Sequence, residues 1–205
     1  MDPIEKLTEY FKEFPGIGER QAKRFVYFLM SRSTSYTDNL SSLITELKRE
    51  VSQCKECFRF YIFNSNKDKL CDICSDSSTD ISTLMIVEKD SDLESIKKSR
   101  TYHGKYFVLG GLVPIVEKNT KTRIRINELI EKIKENTNKG LKEVILAFSL
   151  SPQGDHTDYY VREQLKDITD SLSIKISSLG RGLSTGTELE YSDNETLKNA
   201  LKNRS

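Results

Sequence analysis

The chain has 205 residues, room for one large domain or two to three small ones, and its four cysteines fall together near the first third, which favours several. Its 32 lysines and arginines nearly balance 31 aspartates and glutamates, so the net charge of +1 excludes a global field as the means of holding nucleic acid and leaves only local patches. No apolar run approaches the roughly 18 residues needed to cross a bilayer, so a soluble protein with no membrane partner is expected.

In chain order, Ile4, Leu7, Phe11 and Phe14 recur at helical spacing after Asp2-Pro3, a start signal. That helix stops at Pro15-Gly16-Ile17-Gly18. A second runs from about Glu19 to Met30, with Ala22, Phe25, Val26 and Leu29 on one face and Arg20, Lys23 and Arg24 on another. Helix, Gly-x-Gly turn, helix is a helix-hairpin-helix pattern. Gly16 and Gly18 let backbone N–H groups approach a phosphate, the second helix offers its positive end, and Arg20, Lys23 and Arg24 add charge. Such contacts read no base, so DNA binding would be independent of sequence. The plainer alternative is an αα-turn with solvated arginines, and the basic residues after the turn favour DNA contact.

Residues 31–37 read as a polar connection, followed by a helix that starts near Asp38 and carries Leu40, Leu43, Ile44, Leu47 and Val51. It leads into Cys54-Lys55-Glu56-Cys57, a loop of thirteen residues, then Cys71-Asp72-Ile73-Cys74. Two such pairs place four thiolates at the corners of a tetrahedron, the geometry of a closed, structural zinc site. Lys55, Arg59, Lys67 and Lys69 are placed to offset its negative charge. Paired disulfides in a secreted chain are the alternative. No signal peptide precedes Met1-Asp2-Pro3 and the composition is lysine-rich, so reduced thiols in the cytoplasm are expected. Phe58, Phe60, Tyr61, Ile62 and Phe63 are expected to pack around the metal, and the polar run 75–82 to mark a boundary.

Beyond it strands alternate with helices: strands at 83–87, 106–109, 143–148 and 174–177, and helices at 91–98, through Ile126, Leu129, Ile130 and Ile133, and at 155–172. This order implies a largely parallel sheet with its site past the carboxyl ends of the strands. Glu88, Asp90 and Asp92 follow the first strand and Gln153-Gly154-Asp155 follows the third. The acidic groups suit Mg²⁺, and equally a solvated loop with a helix cap.

Together these motifs resemble the RecR family of bacterial recombination mediators over essentially the whole length. The tail from Leu179-Gly180-Arg181-Gly182 through Tyr191, with Asp193 and Thr196-Leu197 after it, carries the resemblance, as does Tyr106-Phe107-Val108-Leu109-Gly110-Gly111. The resemblance implies an α+β multidomain protein: a helix-hairpin-helix region at 1–52, a four-cysteine zinc motif at 53–76, a Toprim domain at 82–178 and a tail motif with a helix at 179–205. It implies a non-enzymatic DNA clamp, a homodimer or ring-like homotetramer, that works with RecO, and in many bacteria RecF, to load RecA on gapped strands coated by single-strand binding protein. Arg20 and Arg24 fall at the family's basic positions and Glu88 on the Toprim glutamate. Three departures stand out. Gln153-Gly154-Asp155 replaces a glutamate-glycine-glutamate run, Phe107 stands where the family has histidine, and the loop 113–125 lacks a glycine-rich run. The competing readings are a metal-dependent Toprim enzyme of the nuclease or primase kind and a zinc-built interaction module.

Overall fold

The computed structural model describes every residue except 64–68, 116–123, 181, 184–185, 187 and 203–205. Lys67, most of the loop 113–125 and parts of the tail motif therefore lie outside the described residues. The chain forms two compact units, Met1–Val51 and Ser52–Ser205.

The first unit is helical. Helix α1 (Pro3–Lys12) opens with a capping box, in which Asp2 accepts from the Glu5 amide at 2.8 Å and Glu5 accepts from the Asp2 amide. The chain turns through Gly16, whose φ of +76° suits glycine, into α2 (Glu19–Met30) with Gly18 as its cap. Phe11 meets Phe14 and Phe25 edge-to-face at 5.6 and 5.7 Å and closes the pair. Helix α3 (Thr34–Glu50) begins a turn earlier than expected, because Ser33 rather than Asp38 caps it. None of its residues is buried, and Leu43, Ile44 and Leu47 are 54, 59 and 60% exposed.

The second unit starts with a two-stranded ribbon, β1 (Val51–Gln53) and β2 (Phe60–Ile62), followed by the short α4 (Asp72–Ser75). A four-stranded parallel sheet follows in the order β4-β3-β5-β6, built from β3 (Asp80–Val87), β4 (Gly104–Val108), β5 (Glu143–Ala147) and β6 (Lys175–Ser178). Between the strands run α5 (Asp90–Ser99), α6 (Ile126–Thr137) and α7 (Pro152–Leu172), and the tail ends in α8 (Asn194–Lys202). Strand β3 alternates between two cores. Leu84 and Ile86 pack with Phe107, Leu129, Ile133, Val161 and Leu165, while Met85 and Val87 pack with Leu93, Tyr106 and Val108. Burial on both faces explains why its sequence is continuously apolar.

The cysteine segment and the sheet lie in one compact unit on either side of the polar run 75–82. One expectation changes. Phe60, Ile62 and Phe63 do not pack around the cysteines but are 56, 66 and 40% exposed, whereas Tyr61, on the opposite face of β2, packs against them.

Helix α7 starts at Pro152 with Ser151 accepting from the Gly154 amide at 3.1 Å, so Gln153, Gly154 and Asp155 form its first turn. A Cβ on Gly154 would fall on the Ser149 carbonyl oxygen, a backbone atom with no room to yield. Gly154→Ala is expected to destabilise the second unit by roughly 1–3 kcal/mol, read from its urea unfolding transition.

Candidate metal centre and acidic sheet end

Cys54, Cys57, Cys71 and Cys74 converge as their spacing predicts. Their sulfurs lie within 4.8 Å of one another, and three of the four residues are fully buried. Cys57 and Cys71 Sγ stand 3.5 Å apart and all four thiols are free, well beyond the roughly 2.05 Å of a disulfide. A tetrahedral metal with M–S bonds near 2.3 Å has S···S edges of about 3.8 Å, so the cluster fits a four-thiolate centre. The Cys71 amide donates to Cys54 Sγ at 3.4 Å and stabilises a thiolate there. Mutual hydrogen bonding, from Cys57 first, pulls the Cys54 thiol far down, and Cys54 in turn pushes those of Cys57 and Cys74 up. Four adjacent thiols cannot all ionise alone. A bound cation lifts that conflict.

Of the basic residues expected to offset the sulfurs, Arg59 sits beside them, with Cys71 and Cys57 favouring its charge. Arg59 is 7% exposed and bridges Asp72 at 3.0 Å and Glu94 at 2.8 Å. Burial works against its charge, but Asp72, Cys71 and Glu94 outweigh burial and raise its pKa. Lys97 reaches the other Asp72 oxygen at 2.6 Å. Lys105, on β4, donates its ammonium to the carbonyls of Ile73 and Cys74 at 3.0 and 3.4 Å and so ties down the second cysteine pair. Lys105 lies some thirty residues downstream, and no spacing rule connects it to the cysteines. Lys55 and Lys69 are exposed and joined only through their backbones.

At the carboxyl end of the sheet, Glu88 is largely buried, with 19% of its side chain exposed and the Lys89 ammonium 3.9 Å away. The Asp90 carboxylate is already engaged, accepting the Phe60 amide of β2 at 2.7 Å. Asp90 and Asp92 sit two positions apart in the first turn of α5, roughly 200° around the helix, so they diverge. Asp155 belongs to α7 on a different strand connection. Among the described residues the cysteines are the only group of three or more placed to hold a metal. Of the two alternatives for Glu88, Asp90, Asp92 and Asp155, a Mg²⁺ site or a solvated acidic loop with a helix cap, three or more of these carboxylates are not gathered at one point among the described residues.

In the first unit, Gly16 and Gly18 are open, with nothing within 4 Å of the place a Cβ would take, and Arg20, Lys23 and Arg24 are exposed on α2. Lys23 pairs with Glu19 at 2.7 Å, which lowers the Glu19 pKa, and Arg24 donates to Gln21 at 3.3 Å. The Arg20 side chain makes no ion pair or hydrogen bond among the described residues. Arg20 and Arg24 lie one turn apart on α2.

Comparison with known families and proteins agrees along the whole chain. The Toprim domain family matches residues 82–177, and the RecR C-terminal family matches residues 182–205. The chain is 34% identical over 201 residues to recombination protein RecR of Bacteroides thetaiotaomicron, spanning 98% of this chain and 92% of that one. It is 33% identical to recombination protein RecR of a Cyanothece species and 32% identical to that of Lactobacillus acidophilus, each match spanning 98% of this chain and 95 and 96% of theirs. Among the described residues no helix is long and apolar enough to cross a membrane. With the cysteine cluster, the parallel sheet and the tail in the same order, the chain belongs to the RecR family of recombination proteins.

Proposed function

We propose that the chain is a non-enzymatic, DNA-binding recombination mediator of the cytoplasm. It acts in recombinational DNA repair with RecO, and in some bacteria RecF, to load RecA on gapped DNA coated by single-strand binding protein. The observation that carries the reading is similarity to RecR recombination proteins over 98% of the chain. Gly16, Gly18, Arg20 and Arg24 would contact phosphates without reading bases, Lys23 contributing less because Glu19 already pairs with it. The unpartnered stripe of Leu43, Ile44 and Leu47 on α3 supports self-association into a dimer or tetramer. A closed ring retains DNA by enclosure, which suits a net charge of only +1.

The metal would be zinc. Four thiolates suit a borderline-soft ion, and with no open coordination position its part is to hold the fold. Because the ligands bind as thiolates, affinity falls as pH falls and protons compete for sulfur. We expect one zinc per chain by elemental analysis, released progressively on acidification and lost in Cys71→Ser. Zinc retained at one per chain in that variant would refute the site.

For DNA, the double variant Arg20→Ala/Arg24→Ala is expected to lower affinity for duplex and gapped substrates alike. It should also flatten the slope of log K against log salt by roughly 2. An unchanged slope would remove α2 from the interface.

A gel of end-labelled gapped DNA with the zinc-loaded protein and Mg²⁺ or Mn²⁺ tests the absence of catalysis. Intact strands are expected. Cleavage or extension that depends on metal and disappears in Glu88→Ala would establish a Toprim enzyme instead.

A further inference from the structure

We infer that the metal centre organises more than its own segment: it holds the carboxyl end of the sheet around Glu88 in place, with Asp90 and Glu94 as positioning residues and not as ligands of a second metal. The inference rests on the zinc reading above.

Four consecutive residues that follow from the first cysteine pair each reach a different part of that end. The Cys57 carbonyl accepts from the Val108 amide at 2.8 Å. The Phe58 ring meets Phe107 edge-on at 5.3 Å and lies under the Arg125 guanidinium at 5.2 Å. Arg125 in turn donates to the Val108 carbonyl from its side chain, at 3.0 Å, and to the Leu109 carbonyl from its backbone, at 2.9 Å. Arg59 reaches Glu94 in α5, and the Phe60 amide reaches Asp90 at the start of α5. These contacts converge on Glu88 from both sides. Its carbonyl accepts from Gly110 at 2.9 Å, the Val87 carbonyl accepts from Leu109 at 2.9 Å, and Asp90 is two residues on.

The segment 57–60 does not hold this shape for local reasons. Phe58 has φ +61°, a left-handed conformation unfavourable for a bulky side chain, and it persists only where its surroundings impose it. On one side those surroundings are Cys57 and the sulfur cluster, and on the other the sheet end. Release of the metal leaves the two cysteine pairs to weaker links, the Cys71 amide on Cys54 Sγ, the Lys55 amide on the Lys69 carbonyl and the Arg59–Asp72 ion pair. Residues 57–60 can then relax, and the Asp90 carboxylate, the Val108 amide and the Glu94 carboxylate lose their partners together. Coupling of this kind is reciprocal, so loosening the sheet end must also loosen the metal.

The test uses the full chain with zinc as the probe. Hydrogen exchange is compared between zinc-loaded and zinc-stripped protein, and zinc transfer to a chromogenic chelator is timed. Stripping is expected to speed exchange by roughly fivefold or more in residues 53–62, 86–95 and 104–111, while 161–172 changes little. Asp90→Ala, with its zinc content verified, is expected to speed exchange at 86–95 and to release zinc several-fold faster. Asp90→Asn keeps an oxygen acceptor for the Phe60 amide and should restore both.

Exchange that rises only within 53–76, or uniformly across the second unit, overturns the inference, as does an Asp90→Ala variant that releases zinc at the wild-type rate. Wild-type protein that retains no zinc overturns the reading of the centre itself, a failure distinct from the others.

Discussion

The hydrogen bond from the Val108 amide to the Cys57 carbonyl, 2.8 Å long, marks the constraint on which the second unit depends. Strand β4 is the edge of a parallel sheet, and an edge strand offers unpaired backbone groups that must be covered or left open to association. Here the cysteine segment supplies the cover. Its first pair meets the edge through Cys57 and Phe58, and its second pair is tied to the same strand by the Lys105 ammonium. The segment is too small to hold a shape by apolar burial alone, and a metal on its four thiolates would supply the folding energy it lacks.

At the acidic end of the sheet the carboxylates turn toward different partners. A two-metal site for phosphoryl transfer needs several carboxylates converging on one volume. Asp90 is turned toward Phe60, Asp92 points elsewhere around α5, and Gln153 stands in the first turn of α7 where a further carboxylate would help.

The first unit presents a different physical problem. Helices α1 and α2 close on one another through Phe11 and Phe25, but α3 carries an apolar stripe with no burial. Arg20 and Arg24 are exposed on α2, with the turn glycines open beside them. One face is suited to a polyanion and another to apolar association.

Much of this was legible in the chain. The start signal at Asp2-Pro3, the Gly16 turn, the bounds of α2 and the strand-helix alternation follow from patterns local to a few residues. The cysteines announce their cluster by spacing, because a chelating pair must lie within one short turn. Errors fell where one local signal competed with another, as when Ser33 capped α3 ahead of Asp38. They fell also where a side chain was taken by a partner far along the chain. Asp90 accepts from Phe60, thirty residues earlier, and Lys105 and Glu94 serve the cysteine segment with no hint in their neighbourhoods. Element type, metal geometry and family are written in short-range order, where spacing alone constrains chemistry. Which carboxylate is free, which cation faces the sulfurs and which apolar face is left bare depend on where the sheet edge meets the cysteine segment, and packing in three dimensions sets that.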